Sequence, residues 1–332
     1  MMIRLAIDGM GGDLAPKEIV EGTLLALNRF DNIEATIFGD TALMAPYLKE
    51  HPRLKVVHAA KFFDMGEKNV GRDTLKMKDA SMIMAIQHVK DGLSDAVVSA
   101  GPTQVLIFAS YFLIRPMKEM SRVAIAPIVP TISGKPAFLL DAGGNIDAKP
   151  EHLVDFAVYA SVALREVFNV KEPKVGLINI GTEPGKGRDI DVQTYQLLKD
   201  HPAIHFYGNL EPKEILDSEA DVLLSDGFTA NIVMKTMEGT AKAVGAILKR
   251  EIKRGFFSKL AAGLFLRKAL KNFKKSFSQD EVGGALIAGL DKVVIKAHGS
   301  SSAYAFSNGI RQAKMMVEKD VIGKVKNALG KS

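Results

Sequence analysis

The chain has 332 residues, 47% of them hydrophobic and 25% charged, and this ordinary balance excludes a wholly disordered protein. It contains no cysteine, so a thiol nucleophile and cysteine-ligated metal sites are excluded. The net charge is +6, but eight cations within residues 252–277 account for all of the excess, so a nucleic-acid-binding face spread over the fold is not expected.

Short apolar runs alternate with longer amphipathic runs along most of the chain. The short runs predict strands over residues 3–8, 34–40, 54–59, 95–100, 123–129, 137–143, 174–181, 203–208, 220–227 and from Val293 onward. The longer runs predict helices over residues 16–29, 74–91, 151–168, 189–199 and 228–250. This alternation predicts a three-layer α/β/α fold with a mainly parallel sheet, in which 123–129 and 137–143 form an antiparallel pair. No linker interrupts the pattern, so we expect one domain of residues 1–332.

The sequence has the features of a cytoplasmic protein. The N-terminus lacks the basic region and long apolar core of a signal peptide. No run reaches the roughly 18 uncharged apolar residues that a membrane-spanning helix needs. The absence of cysteine fits a reducing compartment. We therefore expect a cytoplasmic location.

Glycine-containing polar loops follow six of the predicted strands. They cover residues 8–13, 99–104, 141–147, 179–189, 225–231 and 296–302. Ligands of parallel sheets bind beyond the C-terminal strand ends, where glycine lets backbone amides approach and a following helix N-terminus favours anions. We therefore expect the six loops to meet at one edge of the sheet and to bind an anion such as phosphate. Each loop alone is better explained by ordinary turns and helix caps, and it is the number of such loops that favours a binding site.

Familiar nucleotide and metal motifs are not met. Residues 9–12 begin like a dinucleotide fingerprint, but Leu14 occupies the place of its last glycine. Residues 181–187 have three residues between glycines where a Walker loop needs four, and Gly187 stands where Ser or Thr would bind magnesium. The seven histidines show no paired ligand spacing. An acidic magnesium site at the strand ends stays open as an alternative, formed by Asp8, Asp13, Asp141, Asp147 and Asp226.

Taken in order, seven runs of the sequence resemble the phosphate acyltransferase family of bacterial phospholipid synthesis. They are AIDGMGGD, SAGPT, LLDAGGNIDAKPEHLV, VGLINIGTEPGKGRDI, YGNLEPKEIL, DVLLSDGFTANIVMKTMEG and GGALIAGLDKVVIKAHGSS. The resemblance implies an α/β/α fold akin to isopropylmalate dehydrogenase and phosphotransacetylase, used as a homodimer without a cofactor. It implies transfer of a fatty acyl group from acyl-acyl carrier protein to inorganic phosphate, which gives acyl-phosphate for phosphatidic acid synthesis.

The sequence departs from the family pattern in two places. The family loop usually reads S-A-G-N-T-G-A, and here Pro102 and Gln104 replace its asparagine and second glycine. The stretch GRDTLKMKDASM, residues 71–82, carries fewer cations than its family counterpart. The first departure affects a polar contact of the site. The second affects an anionic contact or the carrier-protein surface.

The resemblance also implies site residues. Lys186, Asn231, Lys296 and His298 are expected to be catalytic. Lys296 and His298 are two residues apart on an extended segment and therefore point to the same side. His298 is expected either to bind phosphate or to protonate the departing thiolate. Asp8, Asn145, Asn179, Asp226 and Ser300 are expected to bind substrate or phosphate, although Ser300 has the alternative of capping the following helix.

The basic segment 252–277 combines its cations with two apolar helical stripes. One interpretation is a pair of exposed helices that pack on the domain or on a dimer partner. We favour an interfacial membrane segment on the inner face of the cell membrane. The same cations also suit docking of the acidic acyl carrier protein. The expected membrane contacts are Phe257, Leu260, Leu264, Phe265, Lys268 and Lys271.

Two other functions fit parts of the sequence. A metal- and NAD-dependent hydroxyacid dehydrogenase of similar fold is one, although the glycine fingerprint and a convincing metal cluster are missing. A catalytically silent membrane-associated scaffold is the other. Lys186, Lys296 and His298 count against the scaffold, whereas the altered loop at 102–104 favours it.

Overall fold

The computed structural model describes residues 1–67, 70–254, 268, 279–281 and 283–330. The strands are β1 (Ile3–Asp8), β2 (Ile33–Gly39), β3 (Leu54–His58), β4 (Ala96–Ser99), β5 (Ala124–Val129), β6 (Ala137–Leu140), β7 (Lys174–Ile178), β8 (His205–Leu210), β9 (Val222–Leu224), β10 (Ala285–Ala288) and β11 (Val293–Lys296). The helices are α1 (Lys17–Arg29), α2 (Thr41–Met44), α3 (Ser81–Lys90), α4 (Thr103–Leu113), α5 (Pro150–Phe168), α6 (Asp189–Asp200), α7 (Gly227–Arg254), α8 (Ala303–Glu318) and α9 (Val321–Leu329).

The described strands form one sheet in the order β3-β2-β1-β4-β11-β10-β5-β6-β9-β7-β8. Strands β1 to β4 and β11 run parallel to one another, and so do β6, β7, β8 and β9. Between these two blocks, β10 and β5 are each antiparallel to both of their neighbours. Three successive reversals make the two parallel blocks run in opposite directions.

The predicted meeting of six loops at one edge is therefore wrong. The loops after β1, β4 and β11 lie at one edge of the sheet, and the loops after β6, β7 and β9 lie at the other. The sequence indicated only one antiparallel pair, which is confirmed, and offered no sign of β10. This strand is a four-residue apolar run between glycines, too short for a periodic pattern to identify.

Helices cover both faces of the sheet. On one face α1, α5, α8 and α9 share a hydrophobic cluster with inward-pointing strand residues such as Leu5 and Ile7. On the other face α3 and α4 form a second cluster, to which Ala6 belongs, and α7 packs on a third around Leu139 and Leu223. Alternate residues of a strand point to opposite faces, so each buried strand must be apolar throughout. The three-layer arrangement matches the prediction.

Most predicted elements are confirmed, but one predicted helix starts too early, and the predicted helix ranges leave out α2, α4, α8 and α9. The helix expected over residues 74–91 begins only at Ser81, because residues 74–76 form a separate short 3-10 helix, residues 78 and 79 form a turn, and Ala80 forms a β-bridge with Lys61. Helix α4 was not predicted, since its sequence TQVLIFASYFL is apolar on nearly all sides and lacks an amphipathic period. No helix in the described part of the chain has the length and apolarity needed to cross a membrane.

Candidate active site

A cavity of about 490 Å³ lies between the start of α4 and the helix α7. Its floor is made by β5, β10 and β11, and the strand register places Lys296 beside Ala285 and Ala285 beside Pro127. The second and third hydrophobic clusters flank it. Although the polar loops start from opposite edges of the sheet, loops from both edges reach this cavity, with Gln104 and His298 from one and Gly143 from the other.

Lys296 is a buried cation in the cavity wall. Lys296 points to the same face of β11 as Val294, two residues before it, and is only 8% exposed. Its Nζ donates hydrogen bonds to the carbonyl oxygens of Ala100 and Ala297. Burial lowers the pKa of Lys296 to about 8, although the nearby carboxylates of Asp8 and Asp13 act in the opposite direction. The ammonium is therefore largely charged at neutral pH and is only partly hydrated. Such a group binds an anion strongly.

Asp8 shapes the wall beside Lys296. Its carboxylate accepts hydrogen bonds from the hydroxyls of Ser81 and Ser99, both at 2.6 Å. Burial raises the pKa of Asp8, and these two hydroxyls and the charge of Lys296 partly offset the rise. The Ser99 hydroxyl in turn accepts from the amide of Gly101 at 3.0 Å, which sets the turn before α4. Asp8 is 1% exposed and is not part of the cavity lining.

His298 is exposed at the cavity and has a defined hydrogen-bond pattern. Its Nδ1 accepts from the backbone amide of Ser300 at 3.2 Å and lies 2.9 Å from the Ser300 hydroxyl. Because an amide can only donate, Nδ1 carries the lone pair and the neutral ring keeps its proton on Nε2. His298 therefore presents an N–H donor.

The three serines that follow His298 have different roles. Ser302 is the N-cap of α8, and its hydroxyl accepts from the amide of Ala305 at 3.2 Å. The capping role considered for Ser300 is therefore wrong, since Ser300 lines the cavity and contacts His298. Ser301 also lines the cavity, is 4% exposed, and has a hydroxyl without a hydrogen-bond partner among the described residues. A buried hydroxyl without a partner costs free energy.

Asn231 reaches the cavity from the first turns of α7. A Cβ on Gly143 would lie 2.4 Å from its Nδ2, and Gly143 has a φ of +128°, so only glycine permits this approach. Asp226, just before the helix, accepts from the amides of Phe228 and Thr229 at 3.0 and 2.9 Å. Burial would raise the pKa of Asp226, but hydrogen bonds from Thr229 and Arg188 outweigh it and lower the pKa. A firmly capped helix thus positions Asn231.

The loop that carries Gly143 is held by buried polar contacts of its own. Asp141 is fully buried and accepts from the amides of Ile125, Gly144 and Asn145 at 2.9, 2.8 and 2.6 Å. The side-chain amide of Asn145 donates to Asp141 and to the Val123 carbonyl. Burial raises the pKa of Asp141, and its hydrogen bonds partly oppose this.

Comparisons with known proteins identify the family. A family model described as "Fatty acid synthesis protein" matches residues 3–324. A protein from Acholeplasma laidlawii named phosphate acyltransferase is 74% identical, over 99% of this chain and 98% of that protein. Proteins of the same name from Aster yellows witches'-broom phytoplasma and from a Geobacillus species are 42% and 41% identical, over 99% and 98% of this chain and 92% and 98% of their own length. The chain belongs to the phosphate acyltransferase family.

Solved structures place this phosphate acyltransferase family member in a wider fold. A phosphotransacetylase from Streptococcus pyogenes covers 97% of this chain and 94% of its own, with a TM-score of 0.62 and 16% identity. A branched-chain phosphotransacylase from Enterococcus faecalis covers 95% of this chain and 100% of its own, with a TM-score of 0.58 and 16% identity. The predicted phosphotransacetylase-like α/β/α fold is thereby confirmed.

The cavity brings together four of the nine predicted catalytic and phosphate-binding residues of the phosphate acyltransferase site. Asn231, Lys296, His298 and Ser300 line it, and Lys296 and His298 lie on the same side as expected. Four others are outside the lining and instead hold loops: Asp8, Asn145, Asn179 and Asp226. Lys186 is exposed on its loop and also outside the lining. Direct contact of all nine with substrate stays a prediction.

Sequence reasoning missed some residues that line the cavity. Ser301 lines the cavity but is not among the predicted site residues, which include only its neighbour Ser300. The run of three serines at 300–302 is the feature of the sequence that could have indicated it. Gln104, one of the two departures from the family loop, also lines the cavity, whereas Pro102 is buried at the start of α4. The altered loop therefore still offers a side-chain amide here.

Two predictions concern regions beyond the cavity. Of the expected membrane contacts only Lys268 is described, and it is exposed, whereas Phe257, Leu260, Leu264, Phe265 and Lys271 lie outside the described residues. The second prediction is the alternative of an acidic magnesium site at the strand ends. Within the described ranges no three His, Asp or Glu side chains are grouped as metal ligands would be.

Proposed function

We propose that this protein transfers a fatty acyl group from acyl-acyl carrier protein to inorganic phosphate, giving acyl-phosphate for phosphatidic acid synthesis. The observation that carries the proposal is the buried ammonium of Lys296 in a cavity that also has a long apolar wall. The name phosphate acyltransferase, borne by relatives at 74% to 41% identity, supports it. These relatives give no support to a hydroxyacid dehydrogenase or to a silent scaffold.

In the proposed reaction a phosphate oxygen attacks the carbonyl carbon of the thioester. The carbon–sulfur bond then breaks, and the carrier leaves as its thiolate. Lys296 and the Nε2–H of His298 hold the phosphate, and the amide of Asn231 donates to the carbonyl oxygen as it becomes an oxyanion. Phosphate is already anionic at neutral pH, so positioning contributes more than a strong base. His298 acts here as a binding donor, since its Nδ1 already accepts from Ser300.

Lys186 is proposed as a second cation that approaches from the 181–187 loop. The amide of Asn179 donates to the Lys186 carbonyl at 2.9 Å, which anchors the loop. Arg188, at the end of this loop, pairs with Asp226 at the base of α7. The loop is thus attached to the helix that carries Asn231, and a flexible lysine side chain can reach toward the substrate.

The assay is formation of labelled acyl-phosphate from acyl-acyl carrier protein and radiolabelled phosphate. The wild-type protein is expected to turn over, and Asn231→Ala to lower turnover about a hundredfold, because one oxyanion donor is lost. Thr240→Ala is the matched control, since Thr240 is exposed on the same helix and outside the cavity. Absence of labelled product with the wild-type protein would sink the proposal.

We propose that the segment 252–277 binds the membrane surface, where an acyl-phosphate product would be used. Its eight cations favour anionic lipid, and its large apolar residues favour the interface. Deletion of residues 255–275 is expected to abolish sedimentation with phosphatidylglycerol vesicles. A second variant, with Phe257→Ser and Phe265→Ser, keeps the chain length and should lose most of the binding. Unchanged sedimentation of both variants would contradict the proposal.

We also propose a homodimer. Past Ala241, α7 keeps an apolar stripe formed by Val244, Ile247 and Leu248, which are 48%, 52% and 38% exposed among the described residues. Apolar side chains in such a stripe favour burial against another helix. Sedimentation velocity of the purified protein decides the point, and a monomer mass would contradict it.

A further inference from the structure

The two long sides of the cavity differ in chemistry. One side carries the polar groups Lys296, His298 and Ser301. The other is mainly apolar and is formed by the end of β5, the loop after β8 and one side of α7, from which Lys235 and Glu238 also line the cavity. Its apolar residues are Val129, Pro130, Leu216, Met234, Met237 and Ala241.

Helix α7 gives this apolar side its direction. Met234, Met237 and Ala241 follow the spacing i, i+3, i+7 and therefore share one side of the helix. Both methionines also pack against the cluster around Val129, so their positions are supported from behind. Asn231 is the polar residue at the start of the series. The wall thus runs from Asn231 to Ala241.

The side-chain amide of Asn231 lies at the boundary between the cavity and a second, shallower depression. Gly143, Asn231 and Lys235 line the cavity and also a shallow groove on the outside of α7. That groove exposes Phe228 and Ile232, which are 58% and 50% exposed. A substrate whose reacting carbonyl lies at Asn231 therefore has an interior path on one side and an open path on the other.

We propose that the acyl chain of the donor lies inward along the methionine side of α7, with its carbonyl at Asn231 and its carrier arm outward in the groove. This inference rests on the proposed function and adds to it the placement of the acyl chain. In this orientation the acyl chain passes first Met237 and then Ala241, so that a larger side chain at either position would limit the acyl-chain length. The apolar chain meets apolar side chains, and the phosphate stays on the side of Lys296.

Helix geometry converts these positions into chain lengths. Six residues from Asn231 to Met237 advance about 9 Å, and ten residues to Ala241 advance about 15 Å. An extended chain of single bonds advances about 1.2 Å per bond, as a polypeptide covers about 3.6 Å in three bonds. Met237 therefore lies at a depth of about seven bonds and Ala241 at about twelve. A palmitoyl chain, with fifteen carbon–carbon bonds, is longer than the depth of Ala241 and must pass it, whereas a decanoyl chain passes only Met237.

The test uses butanoyl-, decanoyl- and palmitoyl-acyl carrier protein as donors, with acyl-phosphate formation as the readout. Met237→Trp is expected to lower kcat/KM at least about tenfold for decanoyl and palmitoyl donors, because excluded methylenes each forfeit binding energy, and to spare butanoyl. Ala241→Phe is expected to lower kcat/KM similarly for palmitoyl alone. The KM for phosphate should stay unchanged in both variants.

Ala243→Trp is the matched control, because Ala243 is exposed and outside both depressions. Its kcat/KM for each of the three donors should equal that of the wild type. Normal butanoyl turnover shows that each variant is folded. An active wild type whose two variants both keep the donor preference would overturn this inference alone, whereas an inactive wild type would overturn the proposed function as well.

Discussion

Lys296→Met is expected to lower kcat/KM for phosphate by about a hundredfold or more, because it removes the buried cation and keeps most of the side-chain volume. The burial that makes Lys296 a strong anion ligand also lowers its pKa to about 8. The ammonium is present below that pH and is lost above it. Wild-type activity should therefore fall as the pH rises through about 8.

The comparison of pH profiles distinguishes a charge effect from a packing effect. In Lys296→Met the alkaline fall that belongs to this lysine should be missing, while the activity is low at every pH. Lys242→Met serves as a control because Lys242 is exposed on α7 and outside the cavity. An alkaline fall that persists unchanged in Lys296→Met would show that another group causes it.

Stability should change with pH in the opposite direction from activity. The pKa of Lys296 is about 8 in the folded protein, against 10.5 for an unperturbed lysine, so the unfolded chain binds more protons in this window. The free energy of unfolding then rises with pH between the two values, by up to about 3 kcal/mol for this residue. The difference between wild type and Lys296→Met in urea unfolding at several pH values measures that contribution.

Gly143→Ala is expected to lower turnover about a hundredfold, since a displaced Asn231 amide no longer meets the carbonyl oxygen. The new methyl group would lie 2.4 Å from Asn231 Nδ2, and the backbone φ of +128° disfavours any side chain. Backbone strain alone costs about 1–3 kcal/mol. Acyl-phosphate formation and thermal unfolding measure the two consequences separately.

The variant Gly208→Ala separates the effect of backbone strain from the effect of displacing the Asn231 side chain. Gly208 has a φ of +116°, close to that of Gly143, but a Cβ at this position would have no neighbouring atom within 4 Å among the described residues. Gly208 also lies outside the cavity lining. This variant should lose stability and keep its turnover. If Gly143→Ala also kept its turnover, the close approach to Asn231 would have no catalytic importance.

The sequence by itself determined the fold class, the family and the polar residues at the strand ends. Strand and helix periods repeat along the chain, and a period depends only on neighbouring residues. Lys296 and His298 were placed on one side of the chain for the same local reason, and both line the cavity. The runs from AIDGMGGD to VVIKAHGSS carried the family resemblance, which the comparisons bear out.

Only the tertiary structure decided how the loops meet. The strand β10, four residues long, changes the direction of half the sheet, and no local pattern indicates where a strand pairs. Burial is also a property of the assembled fold. It made Asp8 and Asn179 supports of loops, left the Ser301 hydroxyl unpaired among the described residues, and lowered the pKa of Lys296. These outcomes depend on residues far apart in the chain, because desolvation and hydrogen-bond partners come from whichever elements pack together.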